Sequence, residues 1–449
     1  MASSFLISRA KIVNEGHAFE GSVLIENGII KEIRHGSFEE KDIPGHIKVI
    51  DARGKYLIPG VIDDQVHFRD PGITVKGDIA SESRAAVAGG TTSFMDMPNT
   101  IPQTTTIPLL EDKMNRASCV SFANYSFFLG ATQDNLIEIE KTDPHKICGI
   151  KVFLGSSTGN MLVNDPEILE KIFKRAPTIV AVHSEEEEII RKNLAEFKTR
   201  FGENIPFSAH PLIRSAEACY TSSKKAITLA KRCGTRLHIL HLSTARELDL
   251  LDNSIPLEQK QITAEVCIQH LLFSDRDYDM MGARIKWNPA IKSENDREAL
   301  FQALLNDKID IIATDHAPHT MEEKQKPYLS CPSGGPMVQH SLVAMMEFFH
   351  KGNISMEKIV EKMCHGPAIL YRIQKRGFIR KGYFADLVLV DPDNPWEVSP
   401  ANILYKCGWS PFEGVRFRSQ VTHTFVNGNL VYEKGAFDES SKGMRLEFN

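Results

Sequence analysis

Five residues spread along the chain end apolar runs in side chains that bind metals or move protons. They are His67 of VHF, Lys151 of GIKVFLG, His183 of VAVHSEEE, His241 of HILHLST and Asp315 of IIATDHAPH. One histidine at such a place is most often a satisfied core group or a solvated residue. Several, each closing a different run, point to convergence, and imidazole with carboxylate suits zinc and related divalent cations. Lys151 is the odd member. A lysine near a strand end ordinarily snorkels to water, but a buried lysine has its pKa lowered and becomes a nucleophile. Its uncharged amine then captures carbon dioxide as a carbamate, an anionic oxygen ligand able to bridge two metals.

The stretch IDDQVHFRDPG, residues 62–72, is the most informative single motif. In an extended strand alternate side chains share a face, so Gln65, His67 and Arg69 point one way and Val66 and Phe68 the other. Two histidines at that spacing would clamp a metal. Here the first is glutamine, neutral and a poorer ligand, which fits an altered metal site and equally a lost one.

The elements that must position these residues follow from the pattern. Between about residues 56 and 370, short apolar runs alternate with helical stretches. The strands are YLIPGVIDDQVHF, TTSFMDM, YSFFLG, CGIKVFLG, TIVAVH, RLHILHL, ITAEVCIQHL and IDIIATD. The helices between them include DIASESRAAVAGG, AEACYTSSKKAITLAKRCG and REALFQALLND, each ending in glycine or a polar breaker. Eight strands with intervening helices predict an α/β fold, a (β/α)8 barrel of the TIM type, in which functional residues sit at the C-terminal ends of the strands. The two ends of the chain read differently. SVLIENGIIKEIRHG and THTFVNGNLVYEKG each carry an Asn-Gly turn between apolar runs, a hairpin signal. Neither end builds a β core alone, so residues 1–55 and 371–449 are expected to pack together as one small β-sandwich domain beside a catalytic barrel of residues 56–370.

Composition narrows the function classes. The chain has 449 residues, 42% hydrophobic and 25% charged, enough for a large core, and a net charge of −5 gives no footprint for nucleic acid or an anionic membrane. No apolar run is long enough to span a bilayer. The first residues, MASSFLISRAKIV, do not fit a signal peptide, and the eight scattered cysteines lack a C-x-x-C pair. Reduced thiols and a cytoplasmic location are expected. The run SEEEEIIRK reads as helix capping and dipole complementarity, and the loop GSSTGN after Lys151 as a mobile segment and candidate lid.

The motifs PGVIDDQVHFRDPG, AAVAGGTTSFMDMPNT, GIKVFLG, HSE, HLST, NPAI and TDHAPHT together resemble those of the class I dihydroorotases, cyclic amidohydrolases of the amidohydrolase superfamily, over nearly the whole chain. The resemblance implies a barrel with a β-sandwich and a reversible, metal-dependent cyclisation of N-carbamoyl-L-aspartate to L-dihydroorotate in pyrimidine biosynthesis. It implies one or two zinc ions: His67 and Asp315 on the first, with Gln65 in the place of the usual histidine, His183 and His241 on the second, and a carbamate on Lys151 bridging them. Asp315 would shuttle the proton. Arg69, Asn99 and His319 would hold the substrate carboxylate, and Asn288 with the backbone around Ser333 and Gly334 the ring. A homo-oligomer is implied, and aspartate transcarbamoylase is the partner it suggests. By themselves Asn99 reads as a turn residue after Pro98 and Arg69 as a surface ion pair.

Three departures stand out: Gln65, the stretch NPAIK with Lys292 in place of an arginine, and CPSGGPMVQHS in place of a glycine-rich stretch. Retention of the other groups favours an active enzyme with an altered centre. The alternatives are a cyclic amidohydrolase for allantoin, hydantoins or dihydropyrimidines, and a non-catalytic subunit of a pyrimidine-pathway complex.

Overall fold

The computed structural model describes residues 4–39, 41, 43–155 and 161–449. Its centre is a ring of eight short parallel strands. They are Val61–Val66, Thr91–Asp96, a third in two pieces (Asn124–Phe127 and Leu129–Gly130), Ile150–Phe153, Val180–His183, Leu237–Ile239, Ile262–Cys267 and Ile311–Ala313. The ring closes between the first and the last. Val66 bridges to His316, the His67 N–H donates to the His316 carbonyl, and the Thr314 hydroxyl donates to Asp63 at 2.6 Å. The strands are buried on both faces, so they read as continuous apolar runs without alternation.

The three helices expected from the sequence form at Ile79–Ala88, Ala216–Cys233 and Glu294–Leu305. Asp78, Ser215 and Ser293 cap their first turns by accepting backbone N–H groups. Ala216–Cys233 ends at Gly234, whose φ of 73° suits a residue without a Cβ.

The expected single strand YLIPGVIDDQVHF is two. Tyr56–Pro59 joins an outer sheet and Val61–Val66 enters the barrel. Gly60 sits at the break, where a Cβ would fall within 2.0 Å of the Thr92 side chain.

Both ends of the chain build the outer sheet. Phe5–Asn14, His17–Glu26, Ile29–His35, Lys48–Asp51 and Tyr56–Pro59 join Leu387–Asp391, Gln420–Val426, Asn429–Glu433 and Ala436–Phe437 in nine strands. Strand Phe5–Asn14 changes partner at a bulge, pairing Phe5 to Ser8 with Lys48 to Asp51 and then Lys11 and Ile12 with Tyr56 and Leu57. The sheet folds over there and brings the Phe5 and Phe425 rings to 5.2 Å. Period-two alternation then divides each strand between two cores. Ile12, Leu57, Leu387 and Leu389 enter the interior of the folded sheet, while Val13, Ile58, Val388 and Val390 pack with the barrel.

Two later stretches lie against the barrel. Trp409 donates its indole N–H to the His319 carbonyl at 2.7 Å. The final residues cross the N-terminal end of the third strand, where Leu446 and Phe448 are buried. Among the described residues, no helix is long and apolar enough to cross a membrane.

Candidate active site

The C-terminal ends of the barrel strands enclose a cavity of about 390 Å³. Gln65, His67, Lys151, His183, His241 and Asp315 line it, and so do Arg69, Asn99, Asn288, His319, Ser333 and Gly334. Its wall also includes Phe153, Trp287, Ala317 and Pro332, which carry no polar signal in the sequence. Of the loop read as a lid, Ser156 to Asn160 lie outside the described residues.

Three side chains at strand ends reach the cavity from left-handed backbone: Arg69 (φ 68°), His241 (40°) and Asp315 (45°). Such conformations are sparsely populated for residues with a Cβ and persist where the surroundings over-determine them. At Arg69 the surroundings are visible. Strand Val61–Val66 stops before His67, and the Asp96 carboxylate, paired with buried Lys113, accepts the Phe68 N–H at 2.7 Å. Gln65 and His67 do share a face, as strand alternation requires, because both reach Asp315. Arg69 joins them through a turn and not through continued strand.

One half of the site is built on two imidazoles. His183 faces Glu185 with Nε2, 2.9 Å from its carboxylate, so that ring nitrogen donates and Nδ1 is left bare. His183 Nδ1 lies 2.9 Å from His241 Nε2, and His241 Nδ1 is buried with no partner among the described residues. Burial depresses both pKa values, which keeps the rings neutral and fit to ligate. Burial alone would raise the Glu185 pKa, but Arg214 and His183 outweigh it and bring it to about 2. Gly155 packs over the Glu185 backbone, where a Cβ would come within 2.4 Å of the carbonyl oxygen.

Lys151 lies between the halves. Burial lowers its pKa to about 7 against the opposing pull of Asp315 and Glu265. Its Nζ sits 4.6 Å from the Phe153 ring centre, and among the described residues it has no hydrogen-bond partner.

In the other half, His67 Nδ1 is 2.8 Å from Asn99 Oδ1, which fixes the hydrogen on Nδ1. The free Nε2 faces Asp315 Oδ1 at 3.2 Å, and the Gln65 amide N–H donates to the same oxygen, also at 3.2 Å. The Cys267 thiol donates to Gln65 Oε1 at 3.7 Å. Burial raises the Cys267 pKa far above the usual thiol range, so it stays a thiol.

Arg69 stands at the mouth. It is buried, donates from Nε to the Pro318 carbonyl at 3.1 Å, and places Nη2 3.2 Å from His319 Nε2. Among the described residues no carboxylate pairs with it. Burial, with Arg69, Lys76 and Lys324 adding to it, lowers the His319 pKa to about 3 despite Glu323, so this ring is neutral. The Ser333–Gly334 loop is braced from below by buried lysines. Lys324 donates to the carbonyls of Pro332 and Gly334, and Lys286 to those of Tyr328 and Cys331. Lys292 is buried, donates to the Ala290 carbonyl at 3.0 Å, and does not line the cavity.

The amidohydrolase family model matches residues 56–431. The chain belongs to the amidohydrolase family. It is 32% identical to the dihydroorotase of Pyrococcus furiosus over 98% of this chain and 96% of that one. With the dihydroorotase of Halobacterium salinarum the identity is 33%, over 86% and 88%. Among solved structures, the L-hydantoinase (dihydropyrimidinase) of Arthrobacter aurescens superposes with a TM-score of 0.90 at 26% identity, covering 98% of each chain.

The amidohydrolase barrel holds functional groups that the sequence reading did not separate out. Glu185 sits in the acidic run read as capping. Glu187 and Glu188 do occupy the first turn of helix Glu187–Phe201, but Glu185 turns in to His183. The motif HSE contains it, and its spacing of two from His183 was the available signal. Asn99, expected at the substrate carboxylate, sets the His67 tautomer.

Below the cavity, Asp64, His238 and Glu265 meet in the barrel interior, with the Tyr371 hydroxyl donating to Asp64 at 2.8 Å. Among the described residues these are the histidine, cysteine and carboxylate groups that come together three at a time at metal-ligand spacing. Burial opposes charge on His238, but Asp64 and Glu265 outweigh it and raise its pKa to about 9, so the cluster is held by an imidazolium. It lies apart from the convergent nitrogens of His183 and His241.

Proposed function

We propose that this amidohydrolase is a dihydroorotase, interconverting N-carbamoyl-L-aspartate and L-dihydroorotate, with zinc and a carbamate on Lys151. The observation that carries the reading is Arg69, a buried guanidinium in the cavity wall that, among the described residues, forms no ion pair with a carboxylate. Burying a charge without a partner costs several kcal/mol, and a substrate carboxylate gripped through two parallel N–H bonds offsets that cost. Hydantoins and dihydropyrimidines bring no such group. The dihydroorotase relatives support the same choice.

The donor set fits a divalent cation on the His183 side. Two neutral imidazoles converge there, His183 Nδ1 on His241 Nε2, and Lys151 is uncharged often enough at neutral pH to take up carbon dioxide. A cation held there supplies Lewis acidity toward the scissile amide and makes water acidic enough to attack near pH 7. The remaining work falls to the chain. Arg69 anchors the substrate carboxylate, with Asn99 alongside in the cavity wall. Asn288 Oδ1, buried with no partner among the described residues, accepts a ring N–H. Asp315 carries the proton between water and the ring nitrogen, oriented by the Gln65 amide N–H. Trp287, fully buried, donates to the Asp315 carbonyl at 3.3 Å and steadies its backbone.

The test is turnover of dihydroorotate beside dihydrouracil and hydantoin. Dihydroorotate alone should be opened, and Arg69→Ala should lose that activity without gaining the others. Turnover of dihydrouracil but not dihydroorotate overturns the assignment. The reading also carries the homo-oligomer and the contact with aspartate transcarbamoylase expected from the resemblance, each read by size-exclusion chromatography alone and with that enzyme.

A further inference from the structure

The amide of Gln65 is turned the wrong way for a metal ligand. Its oxygen, the atom with lone pairs to give, accepts from the Cys267 thiol at 3.7 Å. Its nitrogen points at Asp315 Oδ1 at 3.2 Å. The two contacts fix the amide together. A flip would set Oε1 against a carboxylate oxygen, so the bond to Asp315 would be lost, and the thiol would have to turn its hydrogen to its other acceptor, Glu265 Oε1 at 3.8 Å. Where a first cation would need a third ligand, the chain therefore presents an N–H donor. Besides a carbamate oxygen that it would have to share with the second cation, a cation between His67 Nε2 and Asp315 Oδ1 would find, among the described residues, those two ligands and a hydrogen aimed at the second, whereas zinc sites are tetrahedral with three or four protein ligands of their own. The other half of the centre has no such conflict. His183 Nδ1 and His241 Nε2 converge to 2.9 Å with neutral rings, and Lys151 lies beside them.

We propose that Gln65 stands in for a first cation: its amide N–H holds Asp315, and the centre carries a single divalent cation on His183, His241 and carbamylated Lys151. This rests on the metal-dependent reading above. It makes Gln65 a positioning residue, keeping the proton-carrying carboxylate where a metal would otherwise fix it, with Cys267 behind it as the lock on the amide.

The first measurement is zinc bound per full-length chain, loaded with zinc and bicarbonate and dialysed. One zinc is expected for the wild type and two for Gln65→His and Gln65→Glu, which both supply a lone pair or a charge at that point. Manganese loading gives a second readout. The wild type should show the resonance of isolated ions, and the two variants the exchange-coupled signal of a bridged pair. Two zinc ions or a coupled signal in the wild type overturns the proposal, as does a single ion in both variants. Gln65→Met keeps the volume and removes the donor. It should bind one zinc, keep KM within twofold and lower kcat about tenfold or more, the cost of losing a hydrogen bond to a charged group. An unchanged kcat overturns the positioning role. A chain that binds one zinc but opens no dihydroorotate refutes the substrate assignment and leaves this inference standing.

Discussion

Replacing Glu185 by glutamine isolates one interaction that the site depends on and the cavity does not touch. The Glu185 carboxylate is fully buried, accepts from His183 Nε2 at 2.9 Å and pairs with Arg214. Its pKa falls from the ordinary 4.5 to about 2, because Arg214 and His183 outweigh the cost of burial. At about 1.4 kcal/mol per unit, that fall corresponds to roughly 3 kcal/mol of stability. The figure agrees with the roughly 3–5 kcal/mol typical of breaking a buried ion pair. The sign follows from the depressed pKa. The contribution is complete above pH 4.5 and is lost as the pH falls through about 2. Glutamine keeps the shape but can only accept from one neighbour while its amide hydrogens face the other. Urea unfolding of metal-stripped protein at pH 7 should show Glu185→Gln less stable by roughly 3 kcal/mol, with the gap to wild type closing between pH 4.5 and 2. Because the same carboxylate fixes the hydrogen on His183 Nε2, zinc affinity should also fall about 10- to 100-fold. A variant within about 1 kcal/mol of wild type at pH 7, with zinc affinity within twofold, would refute the reasoning.

With its pKa lowered to about 7, Lys151 is neutral in the folded chain over a range where the unfolded chain still holds a proton, so its effect on stability rises with pH from about 7 to 10.5. Protein equilibrated with ¹³C-bicarbonate should show a carbamate resonance stronger at pH 8 than at pH 6 and missing in Lys151→Gln; its absence from wild type removes Lys151 from the proposed ligands. Arg69→Lys trades a forked donor for a point charge and should raise KM for dihydroorotate about 10- to 100-fold with a smaller change in kcat; a KM within threefold of wild type would show that the fork is not used. Deleting residues 443–449 removes Leu446 and Phe448, both buried, uncovers the apolar surface beneath them, and should cost roughly 3–6 kcal/mol in urea unfolding, an upper estimate from burial. The tail lies at the opposite end of the strands from the cavity, so kcat per folded molecule should not change, and a kcat fall would show that the barrel transmits the loss.

What could be read in the sequence divides along a physical line. The strand-end groups were legible because a buried parallel strand is a short apolar run, and the first polar residue after it must sit at the rim. His183, His241 and Asp315 announce themselves that way, and the eight runs fix the ring. The partners that set tautomer and orientation were not legible, since nothing in one dimension separates them from solvated residues. Glu185 is one acid in a row of four, and only the fold turns it inward while Glu187 and Glu188 stay at the helix start. Asp64 and Cys267 lie inside strands buried on both faces, where alternation carries no information. The left-handed backbone of Arg69, His241 and Asp315 had no glycine to mark it, because each position must keep its side chain. Gln65 shows the limit most clearly. As a residue type it reads as a lost or weakened ligand. What it does depends on which end of its amide faces Asp315, and that is decided by a thiol two hundred residues away in the chain. A substitution at a metal site therefore has to be judged by the hydrogen bonds around the new side chain, since the same glutamine with its amide reversed would be a ligand.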